Sequence, residues 1–186
     1  MKPEVEWLNT MAKSGRVTRY HNTPMITRQT IADHTWGVVL CLLWLTDGEV
    51  NNAIMKAAIY HDCPEIETGD IPAPAKVQNG VLRDALDDIE SRFINSMNIG
   101  VELEEWESEI ISIADTMELL LHCKKEIVMG NRHAQRVFNK GFSYLIDKVT
   151  NFKQCDIGFT LMPDKFRYIV KQAESFLAEI QLWEPV

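Results

Sequence analysis

No two cysteines in this chain form a Cys-x-x-Cys pair; Cys41, Cys63, Cys123 and Cys155 are scattered. That spacing excludes a zinc knuckle and the dense pattern of a disulfide-stapled secreted domain, and it fits a reducing cytoplasm. No uninterrupted apolar run approaches the roughly 20 residues of a membrane span, so no membrane partner is expected. Met1 to Thr10 carry acids and a tryptophan in place of a basic start and an apolar stretch, which predicts no secretory signal. Low-complexity runs are missing, and with 46% hydrophobic and 25% charged residues disorder is excluded too. The chain also lacks GxxxxGK followed by Ser or Thr, GxGxxG and GxSxG. It is therefore neither a P-loop enzyme, nor a dinucleotide oxidoreductase, nor a hydrolase with a nucleophile elbow.

Positive charge is in short supply: 19 Lys and Arg stand against 27 Asp and Glu, a net charge of −8. This argues against sequence-independent binding of duplex nucleic acid, whose affinity comes from many cationic contacts to phosphate. The deficit is uneven. No acid occurs between Glu6 and Asp33, while Lys13, Arg16, Arg19 and Arg28 all fall there. Such an island either holds a small polyanion, such as a nucleotide phosphate, or is a solvated loop.

What is present reads at helical period. Alternating β-branched runs are few, and none is joined to another by an Asn-Gly or Asp-Gly turn, so an all-α fold is expected. With 186 residues one domain is expected. The first helix is predicted from Pro3 to Lys13, followed by a polar loop from Arg16 to Gln29. Thr30-Ile-Ala-Asp33 reads as a capping start for a second helix with a buried stripe of Ile31, His34, Val38, Leu42 and Leu45. A third helix spans about Asn51 to Asp62, stopped by Pro64. Cys63 to Lys76 contains three prolines and a glycine and reads as a structured loop with at most a short helical turn. Further helices are predicted over Val81 to Met97, Leu103 to Val128, Arg132 to Asn151 and Asp164 to Leu182. The tryptophans and methionines read as core. Phe152, Phe159, Phe166, Phe176 and Trp183 are compatible with a homo-oligomer or with an ordinary core.

Asp115 stands in IISIADTMELLL, the most apolar part of the longest predicted helix. A carboxylate buried there needs a cation, an arginine or a set of donors, or must stay protonated. His34 faces the same difficulty on its apolar stripe, and His61-Asp62 ends another apolar helix. Each has a bland reading by itself. Together, two imidazoles and two carboxylates from three helices suit zinc, manganese, cobalt or iron better than calcium.

The order His34, His61-Asp62, Asp115 resembles the H…HD…D signature of the HD-domain metal-dependent phosphohydrolases. YHDCPEIETGDIPAPAK, RVTRY, ADHTWGV and SIADTME are similar to the small HD-domain deoxynucleotide 5′-nucleotidases and to phage-encoded dATP triphosphohydrolases. The resemblance implies a single HD-domain helical bundle over residues 1–186, with the metal-site core at about 16–128 and the helices of 132–186 completing it. It implies one divalent metal ion (zinc, cobalt or manganese, or magnesium entering with substrate phosphates) on His34, His61, Asp62 and Asp115. It further implies that Glu65 orients or deprotonates the attacking water and that Asp70 sits beside the deoxyribose and the bridging oxygen. Arg19 and Lys76 would hold phosphate, and Tyr20 would lie near the base. The activity so implied is cleavage of the 5′ phosphate ester of dATP or another dNTP, giving triphosphate, with deoxynucleoside monophosphates as the alternative substrate. A non-catalytic nucleotide-binding module is the reading from another class. The compartment implied is the cytoplasm, that of the host if the chain is phage-encoded.

Overall fold

The computed structural model of the chain describes residues 4–153 and 163–183. Cys155 and Phe159 lie outside them. The described residues form helices without a named strand: α1 (Glu4–Ser14), α2 (Ile31–Leu45), α3 (Asn52–Tyr60), α4 (Glu65–Thr68), α5 (Ala73–Gln78), α6 (Gly80–Met97), α7 (Glu105–Val128), α8 (His133–Lys153) and α9 (Pro163–Leu182). The all-α expectation is met. Among the described residues no helix is long and apolar enough to cross a membrane.

The helix starts follow local chemistry. The Thr30 side chain accepts the N–H of Asp33 and the Asp33 carboxylate accepts the N–H of Thr30, a reciprocal box that fixes the entry of α2. Asn51 caps α3 by accepting the N–H of Ile54. α3 stops at Tyr60, so His61 and Asp62 occupy the turn beyond it and not its last helical positions. The proline-rich segment holds more helix than expected, because Pro72 and Pro74 sit at the start of α5, where a missing N–H costs nothing. Lys76 is therefore on a short helix, not in a loop.

α7 is the central element. It packs along α8 and α2 and also meets α3 and α9. Ile110, Ile113, Ala114, Met117 and Leu120 of α7 share one core with Val38, Leu42 and Leu45 of α2, Leu145 and Val149 of α8, and Phe166 and Ile169 of α9. Phe152 stacks on Phe166 inside it, so these two rings are core and not an oligomer surface. A smaller cluster joins Cys63, Phe93, Met97 and Ile99 with Trp7 and Met11, and Cys63 is buried in it. The tryptophans divide. Trp106 is core, but Trp36 and Trp44 stand exposed on the outer side of α2 with Leu40. α2 is apolar nearly all round and meets α7, α3 and α9, while the side bearing Trp36, Leu40 and Trp44 is left uncovered among the described residues.

Candidate metal centre

α2, the turn after α3, and α7 converge on one point. His34 comes from the inner side of α2 and is completely buried. Its Nε2 lies 3.0 Å from Asp115 Oδ1 on α7, 3.5 Å from Asp62 Oδ2 and 3.3 Å from His61 Nε2. His61 Nε2 is 3.4 Å from Asp62 Oδ2. His34, His61 and Asp115 each offer a ligand atom within 4.8 Å of the others. The structure thus gathers the predicted quartet, with Asp62 alongside the tighter trio.

The hydrogen bonds outside this point decide which atoms face into it. His61 Nδ1 lies 2.7 Å from the Ala58 carbonyl, which can only accept, so Nδ1 carries the proton. His34 Nδ1 lies 2.5 Å from Glu118 Oε2 and donates to that carboxylate. In the neutral rings both Nε2 atoms are then bare lone pairs, facing each other and two carboxylates. Such a set is repulsive unless protons or a cation lie among it. Burial disfavours the charged His61 ring, yet Asp62, Asp115 and the Ala58 carbonyl outweigh it and lift its pKa to about 9. His34 is likewise raised against burial, by Asp115 and Glu118. Asp62 is held well below the carboxylate range, since His61 and Arg19 overcome its desolvation. The donor set therefore calls for positive charge at its centre, and two imidazole nitrogens with carboxylate oxygens fit a divalent transition metal.

Asp115 corrects its sequence reading. Its side chain keeps 42% of its surface, so it lines an open recess and is not sealed in the core. Its neighbours Ala114 and Thr116 turn inward on the helix while it faces the histidines, which leaves room for a ligand to approach.

Around the quartet, Arg19 Nη1 donates to Asp62 Oδ2 at 2.6 Å, and Arg19 Nε is buried without a partner. Glu65 is buried on the first turn of α4, with Oε2 unpaired. Its pKa is pushed up to about 8 by burial and by Asp62 and Asp70, against the pull of Arg19 and Lys76. Lys76 Nζ sits 3.6 Å from Glu90 of α6. Tyr20 takes a left-handed backbone, φ 57°, a conformation costing a side-chain-bearing residue about 1–2 kcal/mol. It is held there by its N–H, which donates to Asp70 Oδ2 at 2.7 Å. One oxygen of Asp70 thus shapes the loop. The Tyr20 ring stacks on His122 of α7 at 5.3 Å between centroids, nearly parallel.

Three groups central to this arrangement were not among the predicted site residues. Glu118 holds His34. His122 backs Tyr20. Glu126 accepts the N–H groups of Ile26 and Thr27, the Thr27 hydroxyl and Asn131 Nδ2, tying the basic loop to α7. Glu118 lies in the same apolar stretch as Asp115, so the desolvation argument that singles out Asp115 applies to it equally; the loop partners of Glu126, Ile26 and Thr27, are too distant in sequence for any such signal.

A protein-family model described as 5′-deoxynucleotidase YfbR-like matches residues 6–99. A dATP triphosphohydrolase of Salmonella phage PMBT28 is 33% identical over 100 residues, covering 45% of this chain and 51% of the relative. The match therefore spans about half the relative's length. Among solved structures, the cyanophage S-2L HD phosphohydrolase, bound to dA and one catalytic Zn2+ ion, superposes with TM-score 0.65 at 20% identity, covering 92% of this chain and 96% of its own. An HD-domain phosphohydrolase from Listeria innocua superposes with TM-score 0.64 at 18% identity, over 96% and 98% of the two chains. These two likenesses establish the HD-domain helical fold.

Proposed function

The chain belongs to the YfbR-like 5′-deoxynucleotidase family, and from that premise we propose that it hydrolyses the 5′ phosphate ester of deoxynucleotides at a single divalent metal ion. The observation that carries the proposal is the meeting of His34 Nε2, His61 Nε2 and Asp115 Oδ1, with Asp62 Oδ2 beside them. These four residues hold the ion, with zinc, cobalt or manganese the best match and magnesium accompanying the substrate phosphates. When bound, the ion neutralises charge on a phosphate oxygen and makes a coordinated water more acidic.

The chain's own groups supply the rest. A phosphate ester resists water because negative oxygens screen the phosphorus, so cationic side chains and an aligned base are required. Glu65, desolvated and inclined to take up a proton, accepts one from the attacking water. Arg19, whose Nε lacks a partner, holds a phosphate oxygen, and Lys76 adds charge from α5. Asp70 keeps Tyr20 in its left-handed turn and presents its second oxygen toward the sugar and the bridging oxygen. Tyr20, braced by His122, borders the base.

The substrate proposed first is dATP or another dNTP, cut between the 5′ oxygen and the α-phosphorus to leave deoxynucleoside and triphosphate. The name of the phage relative and the acid-free basic loop support it. The family description favours monophosphates as the second reading. A panel of dNMP, dNDP and dNTP with added zinc, cobalt, manganese and magnesium separates them, scored by nucleoside release and by phosphate or triphosphate. No turnover on any member, with nucleotide binding insensitive to chelator, would overturn catalysis and leave a binding module.

The apolar stripe of Trp36, Leu40 and Trp44, left exposed on α2, supports a homo-oligomer. Light scattering of wild type and a Trp36→Glu, Leu40→Glu double variant tests this; identical masses would refute it.

A further inference from the structure

Both nitrogens of His34 are gripped by a single turn of α7. Asp115 Oδ1 is 3.0 Å from Nε2, and Glu118 Oε2 is 2.5 Å from Nδ1 on the opposite edge of the ring. Asp115 and Glu118 are three residues apart, so they share one face of the helix, and His34 fits between their carboxylates. Asp115 points into the recess. Glu118, at 7% exposure, lies behind the ring and outside the cluster of converging ligand atoms.

Glu118 is itself held fast. Its Oε1 accepts from Gln29 Nε2 at 2.7 Å, and the Gln29 carbonyl accepts the N–H of Arg19 at 2.9 Å. The carboxylate therefore cannot swing toward the recess without breaking a buried bond, and the same chain of contacts ties it to the loop that carries Arg19. Its seat depends on Gly37. A Cβ at that position would lie 2.5 Å from Glu118 Cγ and 3.3 Å from both Cδ and Oε1. Gly37 follows His34 by one turn of α2, so the residue that needs the carboxylate and the gap that admits it lie on the same helix face.

Resting on the metal-centre reading above, we propose that Glu118 is the positioning residue of that centre, and that Gly37 is the notch through which it reaches His34. It fixes the ring in the Nδ1–H tautomer, aims the Nε2 lone pair at the ion, and adds a negative charge behind the ring that makes Nε2 a stronger donor. With Glu118 in place His34 has no exposed surface, so solvent does not share this contact. Outer carboxylates of this kind change metal affinity by roughly 10–100-fold.

The test is a calorimetric titration of metal-stripped protein with Zn2+ in a competing chelator, on wild type, Glu118→Gln, Gly37→Ala and His61→Ala, with circular dichroism for folding. Glu118→Gln keeps the shape and removes the charge; Gly37→Ala keeps the charge and displaces it. Both are expected to bind one ion per chain, with affinity weakened roughly 10–100-fold. Folded variants with affinity within about threefold of wild type would overturn the proposal, since that lies below the usual range. A second readout requires no substitution: in 15N–1H spectra of the zinc-loaded wild type, His34 is expected to keep its proton on Nδ1, and a proton on Nε2 would refute the assignment even if both variants failed to fold. Wild type that binds no zinc, or binds it as well as His61→Ala does, sinks the metal centre itself and this inference with it. That failure is recognisable because it appears in the control arms.

Discussion

At the residue scale the proposal gives Glu65 and His61 different tasks, base and metal ligand, and their substitutions separate them. His61→Ala removes an imidazole whose other nitrogen is anchored to the Ala58 carbonyl, so metal content and activity should disappear together; elemental analysis finding full metal would contradict the assignment. Glu65→Gln leaves every proposed ligand in place and removes the base. Turnover should fall by about 10²–10⁴-fold with metal content unchanged. Loss of metal in that variant would make Glu65 a ligand and not a base. At this scale the convergence of His34, His61, Asp62 and Asp115 was expected from the sequence, because these polar groups stand in or beside apolar helical stretches and their order resembles the H…HD…D signature. The roles of Asp70 and Tyr20 were less so. That Asp70 supports a left-handed Tyr20 depends on a contact between residues fifty positions apart, for which no local pattern exists.

Individual elements owe their placement to a few buried polar contacts. The Thr30 and Asp33 box sets the start of α2 and with it the direction of His34. Thr30→Ala should cost about 1 kcal/mol, lowering the melting temperature by about 2–4 °C for a domain of this size, as differential scanning calorimetry would report. Glu126 matters more, since its carboxylate receives four donors from the loop and α8's approach. Burial would raise its pKa, but those bonds, led by Thr27 and Asn131, lower it from 4.5 to about 2. A depressed carboxyl stabilises the fold fully above its unfolded value, and that contribution is lost as pH falls. Glu126→Gln turns an amide nitrogen toward donors and should cost about 2–3 kcal/mol near neutrality. The gap in melting temperature between variant and wild type should narrow as pH drops from 4.5 toward about 2. A gap independent of pH would show that the charge is immaterial. Helix boundaries were readable in sequence to within a residue or two, α5 excepted, because caps and prolines act locally; the tether from α7 to the basic loop was not.

Across the whole molecule, α7 contributes both the carboxylate proposed to hold metal and the spine of the core, so under the proposal binding and stability are coupled. An ion that binds only the folded chain should add about 2.7 kcal/mol at a hundredfold excess over Kd, or about 5–10 °C in melting temperature. Chelator should reverse the shift, and His61→Ala should abolish it. A melting temperature indifferent to added zinc, cobalt and manganese would contradict a folded-state metal centre.

Composition and helical period by themselves determined an all-α chain, its principal helices and which polar side chains are out of place in apolar surroundings, because those properties depend on residues close in sequence. Tertiary structure decided the rest. Only packing of α2 against α7 brings Gly37 beside Glu118, opens the recess that leaves Asp115 partly solvated, and turns Trp36 and Trp44 outward. Which side of an evenly apolar helix faces inward, and which distant carboxylate meets a given imidazole, depends on the neighbours that three-dimensional packing supplies.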